Sequence, residues 1–325
     1  MHAFHIQERK DAAQLRKQET FILRSLLIIR DSLRKIYANY NIFLRPVLKF
    51  VLAFLMLFLL QGKIGYSPML GRGVVIGASA LLCAFFPFGF ITFICGLFVL
   101  GNMFEVSYPM TLFALIVLMM IFVLYYGFHP GTGIIMALVP LAFFFKIPYL
   151  VPLILGMSAG IASSVPAVLG VLIWFILKYF SQHAELMLDA GRSADIVESF
   201  IGISESVLKN EYMYVIMLAF VLCIVTVSII SHSSMDHAWT IAVTAGTIVL
   251  AVVIFIGGAQ YDNGAIGGEL VGLVISSLLA FFYEYIFYCV DYKGTEHLRF
   301  EDDDYYYFVK AVPKVNPYDE DERRE

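Results

Sequence analysis

Charged residues are scarce in this sequence of 325 residues: Asp, Glu, Lys and Arg make up 15% of it, whereas apolar residues make up 60%. A soluble domain has about 25% charged and 45–50% apolar residues. So large an apolar excess cannot be buried in one globular core and still leave a surface compatible with water. The composition therefore excludes an ordinary soluble domain and predicts an integral membrane protein whose main partner is the lipid bilayer.

Signatures of catalysis are also missing from the sequence. It contains no HExxH, no Walker A loop and no GxGxxG motif after a strand. The SxxK pattern at 206–209 stands without the companion motifs of acylating serine enzymes. The four cysteines lie in or at the end of apolar segments, and none has a CxxC partner. We therefore expect no enzyme, no metal and no cofactor.

The few charges that are present are segregated along the chain. Residues 1–49 contain ten Lys or Arg and four Asp or Glu, and residues 290–325 contain six and eleven. Within 12–40, apolar residues recur at three- and four-residue steps, which predicts a basic amphipathic helix in a domain of residues 1–42. This helix would lie among lipid headgroups or pair with another helix. Its position directly before a membrane helix excludes nucleic acid as the expected partner.

Long apolar runs, interrupted by Gly and Pro, fill most of the remaining chain. They predict an all-α polytopic membrane protein with about ten transmembrane segments, several of them short and Gly/Pro-broken. Domains of membrane helices at 43–180 (seven) and 212–289 (three) would flank an extramembrane acidic segment at 181–211. The ten expected segments are 43–60, 73–86, 88–104, 108–126, 131–145, 148–162, 165–180, 212–230, 238–258 and 265–289.

The charge of the N-terminal arm predicts the orientation of these segments. Lys and Arg favour the cytoplasmic side of a membrane, so the basic arm is expected in the cytoplasm. An even number of crossings returns the tail at 290–325 to the same side. We expect both termini in the cytoplasm and the protein in the plasma membrane, with 181–211 on the other side.

A weak internal repeat indicates a transport function. Ala84-Phe-Phe86 recurs as Ala142-Phe-Phe144, and Glu105–Pro109 corresponds to Ala162–Pro166. Each copy, at 73–126 and 131–180, would contain three segments, and an odd number inverts the second copy, as in inverted-repeat transporters. The candidate pathway residues are the intramembrane carboxylates and a run of small residues near the second copy's break: Glu105, Glu269, Gly156, Gly160, Ser163, Ser164 and Pro166.

The acidic, tyrosine-rich tail supports a different function. Phe300–Val312 begins with acids and continues with aromatic and β-branched residues, which predicts an ordered strand-like element that docks on the protein or on a partner. Two hypotheses follow: a permease-like or transporter-like component for a small solute, or a membrane scaffold recruiting a cytoplasmic protein, with homo-oligomerisation also open. A polar midplane cavity would favour the first. The candidate docking residues are Asp303, Asp304, Tyr305, Tyr306, Tyr307 and Phe308.

Overall fold

The structure is a computed structural model that describes residues 28, 30–32, 35–128, 132–190, 195–261, 266–288, 296–302 and 304–311. Most of the described chain is helical. A short 3₁₀ turn spans Ile161–Ser163. The main elements are α1 (Asn41–Ile64), α2 (Gly73–Phe85), α3 (Gly89–Val106), α4 (Tyr108–Phe128), α5 (Ile134–Phe144), α6 (Leu150–Ser158), α7 (Ser164–Ala190), α8 (Ile196–Leu208), α9 (Glu211–Ser231), α10 (Ala238–Tyr261), α11 (Ile266–Phe287), β1 (Glu296–Glu301) and β2 (Tyr306–Ala311).

Within the described residues, six helices are long and apolar enough to cross a membrane. This finding supports the predicted class of helical integral membrane protein. Three further apolar helices, Gly73–Phe85, Tyr108–Val123 and Ile134–Phe144, are shorter. The six long stretches are Asn41–Ile64, Gly89–Val106, Ile161–Asp189, Glu211–Ser231, Ala238–Gly257 and Gly267–Phe287.

The chain forms two compact units, a core unit of Arg45–Phe281 and a terminal unit of Met1–Leu44 with Phe282–Glu325. Helices of the core unit bury one face and expose apolar side chains on the other. On α1, Ala53 and Leu57 are buried, whereas Phe54 and Phe58 are exposed. Large apolar surfaces of this kind are rare on soluble monomers, and hydrocarbon chains would cover them in a bilayer.

Glycines allow the closest helix contacts in the core unit. A Cβ atom added at Gly257 of α10 would lie 2.2 Å from a methyl group of Val215 on α9, and one added at Gly170 of α7 would lie 2.7 Å from the Cβ atom of Val139 on α5. Small residues at such crossings let two helix backbones approach each other, which is how helices associate in membranes.

The acidic region 181–211 differs from its expected boundaries. Helix α7 does not end at 180 but continues to Ala190, and α8 follows it. Helix α8 buries Ile203 and Val207, and its Phe200 ring packs edge-on against Phe113 of α4 at 6.1 Å. The second half of the region is therefore a helix packed on the bundle.

The terminal unit contains the described strands. Strands β1 and β2 pair antiparallel as a hairpin, with Phe300 opposite Tyr307 and Leu298 opposite Val309. The expected strand-like element at 300–312 thus contains the last two residues of β1, the turn and β2. In the same unit, the Arg30 guanidinium donates to the Ile286 carbonyl at 3.1 Å.

Candidate functional sites in the helix bundle

The core unit contains a partly open cavity of about 700 Å³ between α1, α3, α4, α5 and α7. Small-molecule sites usually have volumes of about 300–1,000 Å³, so this space suits a ligand of moderate size. Its wall includes Met56 of α1, Gly96 of α3, Phe122 of α4, Phe144 of α5 and Leu177 of α7. The wall therefore draws on both predicted repeat copies.

The lining of this cavity is apolar. Among the described residues that form it, Thr92 and Cys95 alone bear a side-chain hydroxyl or thiol, and none is charged. The Thr92 hydroxyl already donates to the Gly133 carbonyl at 2.8 Å. A polar midplane cavity was the feature that would favour transport, whereas this cavity is apolar and its lining does not include residues 156–166.

The predicted small-residue pathway contains a helix break, and its residues are not among those that line the cavity of about 700 Å³. Gly160 has φ +73°, in the left-handed region that favours glycine. The Ser163 hydroxyl donates to the Gly160 carbonyl at 2.6 Å and so closes the turn. Ser164 begins α7, and Pro166 lies in its first turn, where its missing N–H costs no helical hydrogen bond. Gly156 is a helix-packing position, because a Cβ atom added there would lie 2.6 Å from the Cβ atom of Val227.

Glu269 takes part in a polar contact inside the core unit. Its half-buried carboxylate accepts a hydrogen bond from the hydroxyl of the fully buried Tyr149 at 2.5 Å. The Tyr212 hydroxyl also contacts that of Tyr149. An added Cβ at Gly272 would lie 2.8 Å from the Lys146 carbonyl oxygen, so α11 approaches the bundle closely at this point. Glu269 therefore joins α11 to the region before α6 and does not line the cavity.

Glu105, the other carboxylate singled out in the sequence, lies half-buried near the end of α3 and outside the cavity lining. One turn earlier is a polar cluster that the sequence analysis missed. Buried Asn102 accepts from the Ser67 backbone N–H at 3.0 Å and donates to the Gln61 side chain at 3.2 Å. The neutral amide in the apolar run 89–104 was a usable signal, because a polar group buried among apolar residues requires a hydrogen-bond partner.

The docking candidates lie on the hairpin, apart from Asp303, which is outside the described residues. Tyr306 and Phe308 share one face and are 73% and 71% exposed, while Tyr305 is 66% exposed. Tyr307 stacks on Phe300 with ring centroids 5.0 Å apart. An isolated two-stranded hairpin is only marginally stable in water. The aromatic side chains of Tyr305, Tyr306 and Phe308 are therefore available for contact with another molecule.

The turn of the hairpin is organised by Asp302. Its carboxylate accepts from the backbone N–H groups of Asp304 and Tyr305 at 3.0 and 2.8 Å, and from the Tyr307 hydroxyl at 2.9 Å. These donors favour the ionised carboxylate and hold the pKa of Asp302 below its usual value.

Asp302→Ala is expected to loosen the turn, whereas Asp304→Ala keeps its backbone donor and serves as the matched control. Amide hydrogen exchange of Asp304 and Tyr305 measures the change. Because the folded-state pKa is lowered, the carboxylate stabilises the turn above the unfolded value of about 3.9. That stabilisation is lost as the pH falls through the lowered pKa, so exchange protection should fall in acid. Equal protection in both variants at neutral pH would contradict this role.

No family model matches the chain, and neither a curated protein nor a solved structure matches it.

Proposed function

We propose that this protein is a permease-like or transporter-like component that moves a small solute through the membrane. The observation that supports this proposal is the cavity of about 700 Å³ bounded by five helices of the core unit. The apolar wall favours a solute whose own surface is mostly apolar, because such a wall offers no compensation for buried polar groups. The protein is not proposed to be an enzyme.

Ten membrane crossings are part of the proposal, and contacts at the helix ends support them. At one end, named here the Lys49 end, the Lys49 ammonium donates to the Phe86 carbonyl just after α2. The Thr92–Gly133 bond brings the starts of α3 and α5 together at the same end. Helix α2 thus ends, and α3 and α5 begin, near the start of α1.

The opposite end, named here the Tyr149 end, contains the complementary helix termini. The bond between Ser67 and Asn102 joins the segment after α1 to the last turns of α3. The Tyr149–Glu269 bond places the start of α6 beside the start of α11. We propose that the ten crossings are α1–α7 and α9–α11. Successive crossings would then alternate in direction, with α8 at the Tyr149 end.

The alternation bears on the proposed inverted repeat. Three crossings, α2–α4, are followed by three more, α5–α7, so the two sets begin at opposite ends of the core unit. Their helices have 13, 18 and 21 residues in the first set and 11, 9 and 27 in the second. We propose that the copies are related by inversion and that the short helices of the second copy are its broken segments.

We further propose a plasma-membrane protein with both termini in the cytoplasm. Ten crossings put Arg45 and Phe281 on the same side, and the basic arm favours the cytoplasm for that side. One added cysteine at a time, at Ser204 on α8 or at Asn316 in the tail, tests this orientation. An impermeant maleimide added to intact cells should label Ser204→Cys, and should label Asn316→Cys only after permeabilisation, with the parent protein as the background control. Labelling of both positions from the same side would exclude ten crossings.

The transport proposal predicts that filling the cavity blocks solute movement. A Cβ at Gly96 would meet only Leu118 methyl groups, at 3.7 and 4.0 Å, so a larger side chain can be accommodated there. Gly96→Leu should slow transfer of an apolar fluorescent solute across reconstituted vesicles about tenfold, the effect of roughly 1.4 kcal/mol of lost contact. Gly77→Leu is the matched control, since a Cβ there meets nothing within 4 Å.

The assay should compare a neutral, a cationic and an anionic solute that share one apolar scaffold, because the apolar lining of the cavity does not determine the charge of the solute. Transfer of at least one must exceed that in protein-free vesicles. Equal rates with and without protein for all three would overturn the transport proposal, as would equal slowing by the variants at Gly96 and Gly77.

A second proposed function, a membrane scaffold, is favoured by the exposed aromatic hairpin. Its partner would be a cytoplasmic protein that covers the face bearing Tyr306 and Phe308. The Arg299 guanidinium lies over the Phe308 ring at 4.7 Å, so this face also presents a cation. The transfer assay separates the two functions, because a scaffold needs the hairpin and is indifferent to a filled cavity.

A further inference from the structure

A positive charge stands at one end of the apolar cavity. The Lys49 ammonium donates to the Phe86 carbonyl at 2.9 Å and lies 5.0 Å from the centroid of the Phe88 ring. Phe86 itself lines the cavity, as do the neighbouring Pro87 and Gly89. The Lys49 ammonium therefore lies beside the cavity wall at the Lys49 end.

Residues of α1 that follow Lys49 line the cavity. Met56 lies seven residues after Lys49 and lines the cavity, which corresponds to about 10 Å along a helix. Because the described lining residues carry no charge, an anionic group has no counter-ion inside. A ligand with one apolar chain and one anionic end would satisfy both regions, with its chain in the cavity and its charge beside Lys49.

We infer that the cavity binds an anionic lipid-like amphiphile, with its phosphate or carboxylate at Lys49 and its chain against the walls near Gly96. This inference rests on the proposed function for movement of the molecule, while binding stands on the geometry alone. Neutralising the ammonium should weaken binding of an anionic lipid about fivefold, as expected for one basic side chain at a membrane surface. Binding of a zwitterionic lipid should change little.

Trp174 provides a fluorescent reporter beside the cavity. Its indole stacks on Phe143 with centroids 5.0 Å apart and lies edge-on to Phe144 at 5.1 Å, and Phe144 lines the cavity. The chain has two tryptophans, so Trp239→Phe leaves Trp174 as the single reporter. Bromine atoms on a lipid chain in the cavity should quench its fluorescence.

The experiment titrates the full-length Trp239→Phe protein, in detergent micelles, with brominated phosphatidylglycerol, brominated phosphatidylcholine or brominated oleate. The anionic lipids should reach half-maximal quenching at about one fifth of the phosphatidylcholine concentration. Lys49→Gln should remove this difference, and Gly96→Leu should reduce quenching by all three lipids. Lys178→Gln should preserve the difference, because Lys178 is also a half-buried ammonium near a phenyl ring, 5.6 Å from that of Phe175, but does not line the cavity.

The outcomes identify the class of ligand and test the binding inference separately from the transport proposal. Stronger quenching by phosphatidylglycerol than by oleate identifies a phospholipid, and the reverse identifies a free fatty acid. Equal quenching by anionic and zwitterionic lipids, or equal loss in the variants at Lys49 and Lys178, would overturn the inference. Anionic preference without vesicle transfer would leave the binding site standing and remove the transport proposal, whereas transfer of neutral solutes without that preference would remove the inference alone.

Discussion

Gly156→Ala is expected to destabilise the protein by about 1–3 kcal/mol, the usual cost of overpacking a buried site. The added Cβ would lie 2.6 Å from the Cβ atom of Val227 and 3.2 Å from the Ile224 carbonyl oxygen, both on α9. Neither atom belongs to the flexible end of a side chain, so relief requires α6 and α9 to move apart. The contacts between these helices would weaken along their length.

The matched substitution, Gly77→Ala, is expected to have the opposite sign. Gly77 lies within α2, where a Cβ meets nothing within 4 Å. Replacing a helical glycine with alanine contributes roughly 0.5–1 kcal/mol of stability when space is available. Gel filtration of detergent-purified protein after heating measures both effects, as the temperature at which half of the monodisperse peak is lost. A Gly156→Ala midpoint equal to or above that of the parent protein would contradict the packing role.

The role of Gly156 shows which information the sequence contained. The run Gly156–Ser164 was predicted to lie near a break in the second repeat copy, and the break at Gly160 is visible in the structure. The partner of Gly156 could not be predicted, because Val227 lies on another helix and many apolar segments offer similar surfaces. Composition and periodicity specify a helix and its apolar faces, whereas the choice of neighbour depends on how all the helices pack.

The same distinction applies to the polar residues of the bundle. Glu269 stood out because a carboxylate in an apolar run requires a partner or water. The sequence did not predict its partner, Tyr149, because the pairing depends on the close approach of α11, at Gly272, to the Lys146 carbonyl. The apolar cavity could not be predicted from the sequence either. Its lining residues are of types common throughout membrane helices, and the space arises only from the arrangement of five helices.

The hairpin was partly visible in the sequence. The aromatic run at 305–309 indicated a strand, and alternate residues do occupy opposite faces of β2. Strand β1 was missed although Leu298 and Phe300 alternate with Arg299 and Glu301, because so short an alternation among charged residues is weak evidence for a strand. Its pairing with β2 across the Asp302 turn was not visible in the sequence.

Glu269→Leu is expected to destabilise the protein by about 1–3 kcal/mol, the cost of removing a buried hydrogen-bond acceptor. The substitution takes away the oxygen that accepts from the buried Tyr149 hydroxyl and leaves Tyr212 as the remaining contact of that hydroxyl. Glu269→Gln should stay close to the parent protein, because its side-chain carbonyl can accept the same bond. Thermal midpoints measure this contrast. A double variant with Tyr149→Phe should lose less than the sum of Glu269→Leu and Tyr149→Phe, because the two side chains interact.

Solute transfer then separates an anchoring role of Glu269 from a role in the pathway. Since neither Glu269 nor Glu105 lines the cavity, Glu269→Gln and Glu105→Gln are expected to preserve both the thermal midpoint and the rate of transfer. Glu269→Leu should lower transfer only in proportion to the folded protein that is lost. If Glu269→Gln kept its thermal midpoint but lost transfer, its ionised carboxylate would belong to the solute or proton pathway. The Glu105→Gln variant applies the same criterion to the first repeat copy. A loss confined to Glu105→Gln would place the functional carboxylate in that copy, and a loss confined to Glu269→Gln would place it on α11, outside both copies.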